Sequence, residues 1–487
     1  MNPEHGKGGT GRIRQGSKTA SRMKAPGNDM AAIDRKGCDP GELVFKGSFG
    51  LEKESLRVTE DGFLSHTPHP FPDEKNIDRD FCENQIELIT DVCDSADGVY
   101  RAISDLHNRT VATLFNLESG REFLWNFSNP PYVRGEDDIL VAQFSGNLYS
   151  RKVYRDYLAK KYGKKKMLFS GIHFNFSFSD ELIRALFKNS GGCEQAWQER
   201  AGQERCGREG VLQDEENLRK FKDGLYLALF KDVVRYGWLI VYLMASSPLM
   251  DGSYFDEKRL GEDVISPYAS ARCSRIGYWN EFTPILDCGS LCGYVKSIED
   301  CIESGRIIAA SELYYPVRLK PRGENSLDNL KSTGVDHIEL RMLDLNPLAP
   351  AGIFKSDICF LHLLLIYLTA NPGGDFDETE QENAINNIKN AAVFRDDGIV
   401  LDFAGRHPDI REEALKVLDD MEKFFYGTKN PYPQAISYQR EKLDRPGGRY
   451  AERIMKTYRH DYVKQGLAMA ARNAAQICRE NPVKANV

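Results

Sequence analysis

Residues 171–177 read GIHFNFS, and residues 50–57 read GLEKESLR. In the first, His173, Asn175 and Ser177 alternate with Ile172, Phe174 and Phe176; in the second, Glu52 and Glu54 stand two apart. A β-strand sends successive side chains to opposite faces. Each stretch therefore predicts a strand with polar groups on one face and core on the other. Two more segments follow the same rule. DRDFCENQIELIT, from Asp78, offers Asp80, Glu83 and Glu87 with Ile86 and Leu88 turned away. HIELRML, from His337, sets Glu339 and Arg341 against Ile338, Leu340 and Met342.

Working outward, strands are expected at 51–58, 84–92, 168–178 and 336–345. Apolar residues at helical spacing predict helices over 97–118, 146–161, 218–247, 356–370, 409–426 and 450–478. The strands are irregularly spaced and lack a βαβ rhythm, so the fold class is α+β, an antiparallel sheet with helices outside it. A Gly- and charge-rich stretch near 189–217 reads as a surface insertion, and GGDFDETEQEN (373–383) separates the strand-rich part from a helical C-terminal part. Residues 1–37 carry eight Lys or Arg against three Asp or Glu, with many Gly and Ser. The segment 1–42 therefore reads as a disordered basic tail ahead of one folded domain, 43–487. Within the tail, GRIRQGSKT approaches the P-loop pattern, but Ser17 is inserted before Lys18 and neither strand nor apolar helix flanks it. A phosphate cradle there lacks its scaffold.

The 487-residue chain, 41% hydrophobic and 28% charged, has the composition of a globular protein with a large core. A net charge of −7 gives no reason to expect nucleic acid or an anionic membrane as partner. The apolar runs Trp238–Met250 and Ile358–Ala370 are too short to cross ~30 Å of hydrocarbon and read as buried helices. Eleven scattered cysteines without a C-x-x-C pair predict free thiols and a cytoplasmic location.

The chemistry concentrates on the four alternating strands. Any one of them alone reads more readily as a solvated outer face than as a site; together they predict a dense acidic patch. Two unit charges ~4 Å apart repel by about 4 kcal/mol at an effective dielectric near 20. Such a patch either protonates or holds cations. Carboxylates with one imidazole and no thiolate suit Mg²⁺ or Mn²⁺ better than zinc. Divalent ions beside an arginine serve phosphoryl transfer, and a two-metal phosphatase fits the residues as well. Tyr154 and Arg155 lie on a predicted helix just ahead of the His173 strand, positioned to overhang it. Arg272 with Tyr278, and Tyr314 with Arg318, supply cations and hydroxyls suited to carboxylates. His66 and His69 in SHTPHP read as structural, and the lysines at 160, 161 and 164–166 read as a solvated helix end.

Eight segments, in order, resemble the class I glutamate–cysteine ligases of bacteria, including the ligase half of bifunctional glutathione synthases. They are GLEKESLRVTEDGFLSHTPHP, DFCENQIELIT, VYRDYLAKKYG, LFSGIHFNFSF, RYGWLIVYLMASSP, PYASARCSRIGY, ELYYPVRLK and HIELRMLDLNP. The resemblance implies a curved antiparallel sheet forming a half-open barrel, like the catalytic domain of glutamine synthetase. It implies ATP-dependent joining of the glutamate γ-carboxylate to the amine of cysteine, the first step of glutathione biosynthesis, by a monomer or small homo-oligomer. By motif, Glu52, Glu54, Asp80, Glu87, His173 and Glu339 match Mg²⁺ ligands, Arg341 matches the phosphate-contacting arginine, and Arg155 sits at a catalytic position. Tyr154, Asn175, Arg272, Tyr278 and Tyr314 match the substrate pocket. Met167 stands where the family usually has glutamine, which motivates an alternative, a γ-glutamyl ligase using another amine. The chain lacks an ATP-grasp half, so it is not expected to make glutathione alone. A phosphohydrolase and a catalytically inactive relative are the other classes considered.

Overall fold

In the computed structural model, which describes residues 41–190, 208–403 and 405–480, the strand read from GLEKESLR is the spine of the sheet. The strands are β1 (Gly47–Thr59), β2 (Ile77–Arg79), β3 (Gln85–Ile89), β4 (Glu122–Trp125), β5 (Gly171–Phe178), β6 (Leu249–Asp251), β7 (Asp263–Ile265), β8 (Val317–Lys320) and β9 (His337–Asp344). The main sheet runs β2-β3-β1-β5-β9-β8, every pair antiparallel, with β4 added against the C-terminal half of β1. It is open, with β2 at one edge and β8 at the other; β6 and β7 form a separate ribbon. The tail to residue 40, with GRIRQGSKT inside it, and residues 191–207 of the expected insertion lie outside the described residues.

Alternation explains which face is buried. Phe49, Phe174 and Phe176 point to one side and are at most 1% exposed. There Phe49 and Phe176 pack against His362 of the Lys355–Ala370 helix, both ring centroids 4.9 Å from the imidazole, and Phe174 packs on those two rings. Almost every residue of that helix is buried, and each fully buried Leu or Ile contributes roughly 1.5–3 kcal/mol. The Ala96–Phe115 helix covers the same side of the sheet, capped by Ser95, whose hydroxyl accepts from the Gly98 amide. Its His107 lies with Nδ1 2.9 Å from the Nζ of buried Lys53, and burial pulls that ammonium down to about 7. The opposite face of β1, β5 and β9, bearing Glu52, His173 and Glu339, is left open.

Two expected helices are each broken in two. The 218–247 segment forms Arg208–Arg235 and Gly237–Met244. At Gly237 a Cβ would press within 2.7 Å of Ile388 and 3.2 Å of Met342, so glycine permits the second helix to lie close on β9 and on the Glu378–Ala391 helix. The 450–478 segment forms Tyr450–Tyr458 and Tyr462–Glu480, with Asp461 between them at φ 54°. The Asp263 carboxylate accepts from the amides of Asp461 (2.6 Å) and Tyr462 (2.8 Å), satisfying the new helix start. Among the described residues no helix is long and apolar enough to cross a membrane, and Cys82, Cys93, Cys273, Cys288, Cys292, Cys301, Cys359 and Cys478 are free thiols.

Candidate active site

Strand register decides which acids meet. Glu52 stands directly opposite His173 across β1 and β5, and Glu54 opposite Glu87 across β1 and β3. Between β5 and β9 the register slips. Ile172 pairs with Leu343 but Phe174 with Leu340, so Arg341 and Met342 share the place opposite His173. Arg341, two residues along β9 from Glu339, shares its face, and its Nη1 lies 3.4 Å from His173 Nδ1.

Three side chains converge tightly. His173 Nδ1 lies 2.9 Å from Glu52 Oε2 and 3.6 Å from Glu339 Oε1, and one ligand atom from each of the three falls within a 4.8 Å span. Glu54 Oε1 is 3.6 Å from His173 Nε2, while its Oε2 accepts from the Gly171 amide at 2.8 Å. Arg341 donates to Glu339 Oε1 (2.9 Å), and Lys320 Nζ lies 3.3 Å from Oε2. Burial alone would raise the Glu339 carboxyl, but the Arg341 and Lys320 charges hold it well below the usual range. Burial and the Glu339 charge push Glu52 up, yet the His173 bond and the His173 and Lys320 charges leave it lowered. Glu87 goes the other way: burial, then the charges of Asp80, Glu52 and Glu54, pushes it well above a normal carboxyl.

These groups line a cavity of ≈ 690 Å³. Of the residues singled out from the sequence, Glu52, Glu54, Asp80, Glu87, His173, Glu339, Arg341, Arg155, Tyr154, Arg272, Tyr278 and Tyr314 all border it. Asn175 stands behind it, donating to Glu52 Oε1 at 3.0 Å and so orienting that carboxylate. The helix Tyr149–Tyr162 overhangs the sheet face and brings in Tyr154, Arg155 and Leu158. Arg155 donates to the Asp80 carbonyl and, with Arg151, lies over the Phe144 ring. Arg272 crosses β5 where residue 171 has no side chain; a Cβ there would overlap its guanidinium. Arg272 is thereby held on the Arg341 carbonyl, with Nη2 3.4 Å from His173 Nε2.

Three expectations need correction. The patch is not acidic alone: Arg151, Arg155, Arg272, Arg318, Lys320 and Arg341 line the same cavity as its carboxylates. Lys320 and Arg151 were missed; for the first, β8, which pairs Arg318 with Glu339, has only four residues, too few for VRLK to show a period. Glu83 leaves the acidic face. The turn between β2 and β3 interrupts the two-residue period, and Glu83 instead binds Arg79 and the amides of His69 and Gln143. Lys161 is not a simply solvated lysine, because its Nζ donates to buried Glu312 at 2.6 Å.

A second cavity of ≈ 330 Å³ opens beside the first. Ser311, Arg318, Lys320 and Asn325 border both, while Tyr294, Ile298, Leu319 and Leu330 give its inner wall an apolar surface. The site thus has a charged floor, a tyrosine wall and an apolar annex.

Comparison with known proteins gives this arrangement its kin. The chain is 34% identical over 443 residues to the glutathione biosynthesis bifunctional protein GshAB of Clostridium perfringens, covering 86% of this chain and 53% of that protein. It is 35% identical over 429 residues to that of Listeria innocua, covering 83% and 51%. The chain therefore spans about half the length of the bifunctional relatives it matches. Among solved structures, a bifunctional glutathione synthetase from Pasteurella multocida superposes with a TM-score of 0.73 at 28% identity, over 92% of this chain and 54% of that one. A glutamate–cysteine ligase from Francisella tularensis in complex with AMP gives a TM-score of 0.74 over 89% of both chains; at 23% identity it speaks for the fold alone. The family model described as glutamate-cysteine ligase matches residues 39–307 and 304–391, and with that match across the sheet and its cavity the chain belongs to the glutamate–cysteine ligase family.

Proposed function

We propose that this protein is a ligase that uses ATP and Mg²⁺ to join the γ-carboxylate of L-glutamate to the amine of L-cysteine, the first step of glutathione biosynthesis. The observation that carries the reading is the convergence of Glu52, His173 and Glu339 beside Arg341 on one sheet face. The donor set fits a hard divalent cation: carboxylate oxygens, one imidazole and no thiolate. Glu52, His173 and Glu339 would hold one Mg²⁺ or Mn²⁺, and Glu54, Asp80 and Glu87, which border the same cavity, would hold another. A bound ion supplies charge compensation and orientation for the triphosphate.

The chain's own residues account for the rest. Arg341, Lys320 and Arg318 face the cavity where the γ-phosphoryl group would lie, and Arg155 offers a further cation on the opposing helix. The apolar annex takes the nucleotide base. A γ-carboxylate oxygen of glutamate attacks the γ-phosphorus, the bond to ADP breaks, and γ-glutamyl phosphate forms. The amine nitrogen then attacks the acyl carbon, the carbon–oxygen bond breaks, phosphate leaves and the amine gives up a proton. Positioning and electrostatics carry this chemistry. Arg272 suits an amino-acid carboxylate, and the tyrosine wall of Tyr154, Tyr278 and Tyr314 is left for the amine substrate. Residues 43–487 form the catalytic domain, its sheet the half-open barrel of the glutamine synthetase type, and the enzyme works in the cytoplasm as a monomer or small homo-oligomer.

One observation favours a second reading for the amine. The Tyr278 hydroxyl donates to Met167 Sδ at 2.8 Å, so a thioether holds a wall residue where the family usually has an amide. A ligase selecting another amine is the alternative. Incubation with ATP, Mg²⁺, glutamate and either cysteine or 2-aminobutyrate, with products identified by mass, tests both. γ-Glutamylcysteine as main product supports the first reading; indifference to cysteine rejects it. Phosphate release without any amino acid points to a phosphohydrolase.

A further inference from the structure

The tyrosine wall is assembled from three separate pieces of chain, and one buried carboxylate ties them together. Glu312 is 0% exposed. Its Oε1 accepts from Lys161 Nζ (2.6 Å) and from the Tyr162 hydroxyl (2.7 Å), both at the C-terminal end of the helix that carries Tyr154. Its Oε2 accepts from the Ile308 amide at 2.7 Å, closing the segment that leads to Tyr314. The third piece, the loop bearing Tyr278, joins through Asn280. The Asn280 amide group donates to the Glu312 carbonyl (2.8 Å) and to the Tyr162 hydroxyl (3.2 Å), and its Oδ1 accepts from the Tyr314 amide (2.8 Å). The rings themselves are in series, Tyr162 against Tyr314 at 5.4 Å and Tyr314 against Tyr278 at 4.4 Å. The Tyr314 hydroxyl is buried beside Tyr278, and both tyrosines border the cavity.

We propose that Glu312, acting through Asn280 and Tyr162, is a positioning residue for the amine-accepting half of the reaction: it sets the spacing of Tyr154, Tyr278 and Tyr314 without touching substrate. The role rests on the ligase reading above. A buried carboxylate with three donors fixes its partners far more tightly than ring packing alone, because each lost bond leaves a desolvated group behind. The ligand cluster of Glu52, His173 and Glu339 stands on β1, β5 and β9, and among the described residues it makes no side-chain bond to Glu312, Asn280 or Tyr162; Arg318 of β8, which donates to the Ser311 and Leu313 carbonyls, is the link between floor and clamp. On this reading the metal-ligand cluster on the sheet serves phosphoryl transfer and the clamped wall serves amine capture, so loss of the clamp falls mainly on the amine.

The test uses the full chain and two variants. Tyr162→Phe keeps the ring and removes only the bridging hydroxyl; Glu312→Gln keeps the shape and removes the charge. Each is expected to raise the KM for cysteine about tenfold, the scale of a sub-ångström misplacement. The burst of ADP formed from ATP and glutamate without any amine is expected to stay within about twofold of wild type. An unchanged KM for the amine overturns the role. So does a parallel loss of the burst and of amine-dependent turnover, which marks Glu312 as a general support of the fold. If Glu312→Gln does not fold, Tyr162→Phe decides alone. Absence of glutamate-dependent ADP from the wild type itself rejects the ligase reading, and the positioning role with it, whereas failure confined to the variants rejects only the role.

Discussion

Glu52 Oε2 and His173 Nδ1 lie 2.9 Å apart across directly paired positions of β1 and β5, with Glu339 Oε1 3.6 Å from the same nitrogen. An imidazole wedged between two carboxylates is held for a purpose when a ≈ 690 Å³ cavity opens above it. Glu52→Gln preserves size and leaves Asn175 a partner, but removes one anionic ligand. Activity is expected to fall about 10²–10³-fold and Mn²⁺ binding, followed by electron paramagnetic resonance, to weaken at least about tenfold, with the thermal midpoint kept or raised.

Gly171 is the opening through which Arg272 reaches His173. In Gly171→Ala the new methyl group would occupy the guanidinium's place and break its bonds to the Arg341 and Leu343 carbonyls. The side chain must leave the cavity. The expected outcome is a rise of at least about tenfold in the KM for glutamate, with a smaller change in the KM for ATP, measured by steady-state ADP release.

Arg57 is fully buried and donates to Glu122 Oε2 at 3.1 Å and to Thr67 Oγ1 at 2.7 Å, joining β1 to β4 and to the loop before β2. Removing one partner strands the other charge. Arg57→Met is expected to cost about 3–5 kcal/mol of unfolding free energy by denaturant titration.

His362 sits among Phe49, Phe176 and Tyr432, and neither ring nitrogen has a hydrogen-bond partner among the described residues. Burial lowers its pKa from 6.5 to about 3. Between those values the unfolded chain binds the proton and the folded chain does not. Its contribution to stability is therefore full above pH 6.5 and is lost as the pH falls toward 3. At about pH 5 the loss is about 2 kcal/mol. His362→Phe is expected to unfold at a lower pH than wild type in an acid titration followed by circular dichroism.

The parts of the molecule legible in the sequence were those long enough to show a period. β1, β5 and β9 each span at least eight residues, long enough for their alternation to put Glu52, His173 and Glu339 each on the polar face of its strand. β2, β4 and β8, at three or four residues, are too short to carry a period, so Arg318 and Lys320 were not tied to the Glu339 strand. Glu83 was misread because parity does not survive a turn. The Lys161–Glu312 pair lay beyond reach for another reason: its partners are 151 residues apart, and a lysine run on a helix end looks solvated until the fold buries an acid beside it.

The account turns on an acyl phosphate formed at the convergence of Glu52, His173, Glu339 and Arg341. Glutamate carrying heavy oxygen in its γ-carboxylate, turned over with ATP, Mg²⁺ and cysteine, tests it directly. The released phosphate is expected to carry about one labelled oxygen, because the carboxylate oxygen that attacks phosphorus departs with it. Unlabelled phosphate formed alongside a γ-glutamyl product would contradict it.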